Sequence, residues 1–212
     1  MIIKKMILFF IAVLNFGTTL AISGEAEDLV SKVEKSVREA KTIEIDFEEW
    51  FLWKMTDEEN VLKGKLLMSG DEKFRIETED QILISNGETL WTYNKPANRV
   101  LVDRLAETDE ALLPRQLLLR YTEGYMVQKL PDESVYGKSC KVLLFMNKEG
   151  ESYYTRWQVW IDPETHFPAK LMQEDLNGNQ NIYFLKSVKA GIALDPHLFQ
   201  FAIPEDAEVI EM

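Results

Sequence analysis

The sequence predicts an α+β protein, mostly antiparallel β, with an N-terminal helix and a second short helix interrupting the strands. Three observations predict it. Apolar residues recur at spacings of three and four over residues 25–41, the period of a half-buried helix. From Ile43 onward the period changes to two, the signature of strands with one buried face. Turn signals then recur at short intervals, so neighbouring strands are joined tightly and form an antiparallel meander.

The 212 residues are 46% apolar, 28% charged and 11% aromatic. This is the composition of a globular chain, not of a disordered, collagen-like or multi-pass membrane protein. With 24 Lys+Arg against 36 Asp+Glu, nucleic acid is not expected as a partner, because phosphate binding needs a basic surface. One domain is the expectation at this length, with enough chain to bury a core unaided by disulfides or metals.

Lys4 and Lys5 precede the apolar run Met6 to Phe16, and small and polar residues follow to Ala21. That is the layout of a secretory signal, with cleavage expected after Thr19-Leu20-Ala21, so that residues 1–21 form the signal and 22–212 the domain. A retained anchor needs about twenty apolar residues, more than this run supplies. No cysteine follows the small residues, so a lipid-anchored form is not expected. Removing Lys4 and Lys5 and no acid leaves 22 basic against 36 acidic side chains, or −14. The acid is spread along the chain and reads as solubility and repulsion between copies, consistent with a monomer; steering toward basic partners is the other reading. The one cysteine, Cys140, lies in a strand-like run and is expected to be buried filler.

In the predicted helix, Ala26, Leu29, Val30, Val33 and Val37 share a stripe opposite Lys32, Glu34, Lys35 and Arg38. Ser23 is the expected N-cap. Ile43, Ile45 and Phe47 then alternate with Glu44, Asp46 and Glu48; Phe51 and Trp53 extend that face, while Trp50 and Leu52 make the other apolar as well. Leu62, Gly64, Leu66 and Met68 alternate with lysines at 63 and 65, and Phe74 and Ile76 with Arg75 and Glu77. Asn86-Gly87 marks a hairpin, since both residues accept positive φ. Pro114 fits the first turn of a short helix, with Leu113, Leu117, Leu118 and Tyr121 forming a one-sided apolar surface. Alternation returns at 125–130, 139–146, 153–161, 167–175, 179–189 and 198–203.

Catalytic patterns are thin. The two histidines, His166 and His197, sit beside Pro-containing turns, and no metal-ligand spacing, phosphate loop or nucleophile elbow is present. Neither a cofactor nor a metal is expected. The acidic pairs Glu48–Glu49 and Glu58–Glu59 point to opposite faces of a strand and read as solvated edges. An esterase would need a clustered Ser, His and acid that the sequence does not display.

A long twisted antiparallel sheet can curl into a cup that helices lie across. The candidate lining is Ile45, Phe47, Phe51, Trp53, Leu66, Met68, Phe74, Ile76, Ile84, Trp91 and Tyr93, with Val142, Leu144, Met146, Val159 and Ile161 from the second half. Leu29, Val33, Leu113, Leu117 and Leu118 are the candidate lid contacts. Periodicity does not separate an empty cup from one whose side chains fill it.

The run Ile82-Leu83-Ile84-Ser85-Asn86-Gly87-Glu88-Thr89-Leu90-Trp91-Thr92-Tyr93-Asn94 resembles the strand–turn–strand of the LolA family, carriers of outer-membrane lipoproteins across the periplasm. Phe47-Glu48-Glu49 after the helix, Gly64-Lys65-Leu66 through Phe74-Arg75, and the closing Phe199-Gln200-Phe201-Ala202-Ile203-Pro204 resemble further family motifs. The resemblance implies an incomplete, unclosed β-barrel with helices as a lid over a hydrophobic cavity for acyl chains, and no enzymatic chemistry. It also implies acylated lipoproteins as cargo and an inner-membrane lipoprotein-releasing transporter as donor, and it leaves an outer-membrane receptor open. Related cups serve as glycolipid carriers and as sensors, which is the alternative reading. Two positions depart from the family. Glu49 stands where it usually has Gln, and Gly70-Asp71 stands where well-studied members have an Arg-Pro pair whose arginine holds the lid helices closed. A latch here uses another residue, or the lid is looser.

Overall fold

Helix α1 runs from Thr19 to Glu39 and buries Ala26, Leu29, Val33 and Val37 in the main apolar cluster. Burial contributes about 1.5–3 kcal/mol for each of the three larger side chains. The helix begins before the expected N-cap, so Ser23 lies inside its span. The computed structural model describes residues 19–108, 114–119, 125–147 and 153–211, the side chains of 19–23, Gln116 and Leu117 excepted. Most of the predicted signal, and Leu113 and Tyr121 of the predicted short helix, lie outside the described residues. No described helix is long and apolar enough to cross a membrane.

Twelve strands follow in one sheet: β1 (Thr42–Trp53), β2 (Glu58–Ser69), β3 (Lys73–Thr78), β4 (Gln81–Asn86), β5 (Thr89–Asn94), β6 (Arg99–Arg104), β7 (Tyr125–Val135), β8 (Lys138–Asn147), β9 (Tyr154–Ile161), β10 (Pro168–Asp175), β11 (Gln180–Ala190) and β12 (Glu208–Glu211). Their order is β12-β6-β5-β4-β3-β2-β1-β11-β10-β9-β8-β7. Two meanders, β1–β6 and β7–β11, are joined where β1 pairs with β11, with a register shift between Asp46 and Phe47. Strand β12 adds in parallel to β6. The edge strands β12 and β7 stand at opposite ends of the order, so the barrel is unclosed. Helix α2 (Pro114–Leu119) interrupts the strands between the meanders.

The hairpin forms where Asn86-Gly87 predicts it, but Asn86 ends β4 and only Gly87 of the pair takes a positive φ. Gly87 has φ of 98°, and Asn86 Oδ1 accepts from the N–H groups of Glu88 and Thr89 at 2.9 and 2.8 Å. The stretch 198–203, expected as a strand, is different. Asp195 accepts from the His197 N–H at 2.9 Å and Pro196 opens a 3-10 turn over Pro196–Phe199, which drops Phe199 to 2% exposure. The closing strand comes later, at β12.

The two faces of the sheet bury different residues. The inner face, under α1 and α2, holds Ile43, Ile45, Leu66, Met68, Phe74, Leu90, Leu143, Phe145, Trp157, Val159, Ile161, Leu171 and Leu185 in one cluster. The outer face of β8–β10 holds a second cluster of Val135, Cys140, Val142, Trp160 and Met172. Near the C-terminus the outer face of the first meander is covered as well, where Phe201 packs on Tyr93 with ring centroids 5.6 Å apart.

Candidate functional site

The inner face does not fill itself. A hollow of about 240 Å³ remains, walled by Ile45, Phe47 and Glu49 of β1, Leu62 and Leu66 of β2, Ile76 and Thr78 of β3, and Gln81 and Leu83 of β4. Leu171 of β10 and Tyr183 and Leu185 of β11 form the facing wall, and Pro114 and Leu118 of α2 close it. This one hollow touches both β4 and β10, whose separation in a flat sheet is about 24 Å. The sheet therefore curls around it. The volume exceeds the 150 Å³ or so of a dry apolar cavity that holds benzene, and falls short of the roughly 300 Å³ at which drug-sized pockets begin. It has room for a segment of one alkyl chain.

Gly64 lets the Phe47 ring lie close against β2. A Cβ there would come within 2.6 Å of Phe47 Cζ and 2.8 Å of the Glu77 carbonyl oxygen. The Phe47 ring thus lies over β2 and leaves the space beyond it vacant.

The expected lining divides into groups. Ile45, Phe47, Leu66 and Ile76 face the hollow. Met68, Phe74, Val159 and Ile161 lie in the same inner cluster but are packed away from the open space. Phe51 and Trp53 extend past it, 36% and 51% exposed, and line a smaller hollow of about 70 Å³ with Tyr153, Tyr154 and Asn181. Six expected residues face outward and are corrected. Ile84 is cross-strand from Trp91, on the face where Tyr93 meets Phe201, while the alternate residues Leu83 and Leu90 join the inner cluster. Val142 belongs to the outer cluster, and Leu144 and Met146 share its face because side chains alternate along β8. The runs 82–84 and 142–146 are apolar at every position, so the period of two cannot say which set points in.

Of the lid residues, Leu29, Val33 and Leu118 are buried in the inner cluster, and Leu118 touches the hollow. The Leu117 side chain and Leu113 are outside the described residues.

Two charged residues were not anticipated here. Glu49, expected at a solvated edge, faces the hollow because it shares the parity of Ile45 and Phe47. Its neighbour Glu48 faces out and pairs with Lys63 and Lys186 at 3.2 and 3.0 Å. The second is Arg115 of α2, 5% exposed. Its guanidinium donates to the carbonyl of Val37, to that of Ala40 at 3.0 Å and to that of Gly70 at 2.9 Å. Arg115 Nε also lies 3.2 Å from Asp71 Oδ1, an ion contact too far off line to count as a hydrogen bond. Burial presses its pKa down, Asp71 works against that, and the like charge of Arg38 adds to it. One side chain thus ties α2 to the C-terminal end of α1, where a cation is favoured, and to the β2–β3 turn.

An uncharacterised protein of Methanocaldococcus jannaschii is 21% identical over 192 residues, covering 87% of this chain and 53% of the relative, so the chain spans about half that protein's length. An outer-membrane lipoprotein carrier protein of Alkalilimnicola ehrlichii is 28% identical over 161 residues, covering 70% of this chain and 71% of the relative. An uncharacterised conserved protein of Thermus thermophilus has a solved structure that superposes with a TM-score of 0.59 at 12% identity, covering 89% of this chain and 99% of that one; it shares the fold. The family model for outer membrane lipoprotein carrier protein LolA matches residues 38–202, from the end of α1 to the segment over Tyr93, and the chain belongs to the LolA family.

Proposed function

We propose that this chain is a periplasmic carrier that shields the acyl chains of lipoproteins between the inner and outer membranes, without covalent chemistry of its own. The apolar hollow left open between the curled sheet and α2 supports this reading most directly. A buried methylene is worth about 0.8 kcal/mol, so a sixteen-carbon chain carries on the order of 10 kcal/mol of reluctance to enter water. A carrier must offer dry surface and then give it up. Ile45, Phe47, Leu66, Ile76, Leu83 and Leu118 supply the surface, and α2, held by Arg115, is the part that moves. An inner-membrane transporter loads the carrier from upstream, and residues 1–21 direct export.

The test mixes residues 22–212 with acylated and unacylated forms of one lipoprotein and follows co-elution. Binding of the acylated form alone is expected. Equal binding of both, or of neither, overturns the proposal.

A further inference from the structure

One end of the inner face is polar in a way that acyl chains alone do not explain. Across the ladder, Gln173 of β10 stands between Trp157 of β9 and Asn181 of β11. Asn181 neighbours Phe51, and Tyr183 neighbours Glu49. Asn181 Nδ2 donates to Glu49 Oε1 at 2.9 Å and to the Tyr183 hydroxyl at 2.7 Å. The Asn181 amide N–H groups are therefore turned toward Glu49 and Tyr183. The group's acceptors are in surplus. Gln173 Oε1 and Asn181 Oδ1 are buried without a hydrogen-bond partner, on residues only 2% and 8% exposed. No lysine or arginine among the described residues pairs with Glu49.

Buried amide oxygens without donors are rare and costly, and two on adjacent strands beside a carboxylate with no cationic partner form a built site lacking its donor. Glu49 and Tyr183 line the larger hollow and Asn181 the smaller one, with Gln173 on the next strand directly across from Asn181, so Glu49 leads the group at the place where the polar end of a chain seated against Leu171 and Leu185 would rest. We infer that Glu49, Gln173 and Asn181 form a head-group subsite selecting alkyl chains that carry an N–H donor, of the amide class, over chains ending in a carboxylate or in a group with acceptors alone. Glu49 repels an anionic head, and the Asn181 N–H groups that an ester or phosphate oxygen could accept from are already engaged by Glu49 and Tyr183. The subsite rests on the carrier reading of the same cavity.

The experiment displaces a fluorescent apolar dye from purified residues 22–212 with three probes of equal chain length. These are N-methyldodecanamide, with one N–H; N,N-dimethyldodecanamide, with none; and dodecanoate at pH 8. The N-methyl amide is expected to displace the dye at about tenfold lower concentration than the dimethyl amide, the worth of one buried hydrogen bond, with dodecanoate weakest. In Gln173→Leu the ratio of the two amides falls to about twofold. That variant melts at or above the wild-type temperature, because it removes an unpartnered buried oxygen. Glu49→Gln narrows the gap between amide and dodecanoate, and serves if Gln173→Leu does not fold. Equal displacement by both amides in the wild type overturns the subsite and leaves the carrier reading standing. Failure of all three probes to displace the dye overturns both.

Discussion

Arg115 and Gly70, 45 residues apart in sequence, are joined by a 2.9 Å hydrogen bond from the guanidinium to the glycine carbonyl, and the same guanidinium bonds the Val37 and Ala40 carbonyls. The departure Gly70-Asp71 acquires a meaning from this contact. The β2–β3 turn contributes an acceptor instead of an arginine, and the arginine comes from α2. One side chain thus ties the β2–β3 turn to both helices.

Arg115→Met keeps the aliphatic stem and removes the donors. It is expected to cost about 3 kcal/mol in urea unfolding, since charged hydrogen bonds are lost and carbonyls are left without a partner. It should also speed dye uptake into the cavity. Asp71→Asn should scarcely move the midpoint, because Asp71 is 87% exposed and exposed ion pairs contribute little.

Gly64→Ala places a methyl group against Phe47 and the Glu77 carbonyl. The clash with backbone cannot be relieved by a rotamer, so destabilisation of about 1–3 kcal/mol is expected by chemical denaturation. The displaced phenyl ring should also weaken binding of apolar dyes.

The two faces can be separated by paired substitutions. Leu83→Trp fills space in the cavity and should reduce apolar-dye binding about tenfold, the effect of roughly 1.4 kcal/mol. Met146→Trp, on the outer face and already 37% exposed, should leave it unchanged. Fluorescence titration of both variants reads the difference.

Asp175 fixes the β10–β11 turn by accepting from the backbone N–H groups of Asn177 and Asn179 and from the Asn179 side chain at 2.8–2.9 Å. Burial pushes its pKa up, but these donors outweigh burial and hold it below the ordinary value. A lowered native pKa means the contribution is complete above the unfolded value near 3.9 and is lost as pH falls from there through the native one. Asp175→Asn should flatten the acid limb of the stability profile below about pH 4.

Cys140 is fully buried in the outer cluster, and burial, with Asp162 nearby, raises its thiol pKa. A thiolate-directed reagent should label it slowly in the native protein and completely in denaturant, as a mass spectrum will show.

The alternating stretches disclosed their inward faces in the sequence. Ile45 and Phe47 against Glu44 and Asp46, or Phe74 and Ile76 against Arg75 and Glu77, allow one assignment. Ile82-Leu83-Ile84 and Val142 to Met146 are apolar on both sides, and there only the register decides. Glu49 reads as half of a solvated pair because α2, which closes the hollow that it faces, lies far away in sequence. Arg115 gave no periodic signal at all, since its partners are three carbonyl groups, which have no sequence signature. The C-terminal strand was misplaced because Pro196 with Asp195 starts a turn inside an otherwise apolar stretch.

The seam between β1 and β11 joins Ile43 to Ala190 and Leu52 to Gln180. The first strand of the molecule therefore waits for almost the last before it gains its second neighbour. Such distant pairings slow folding, and a chain emerging from its N-terminus holds the apolar side of β1 uncovered for most of its synthesis. Truncation shortly before residue 180 would leave two separate meanders, each with an exposed central edge prone to self-association.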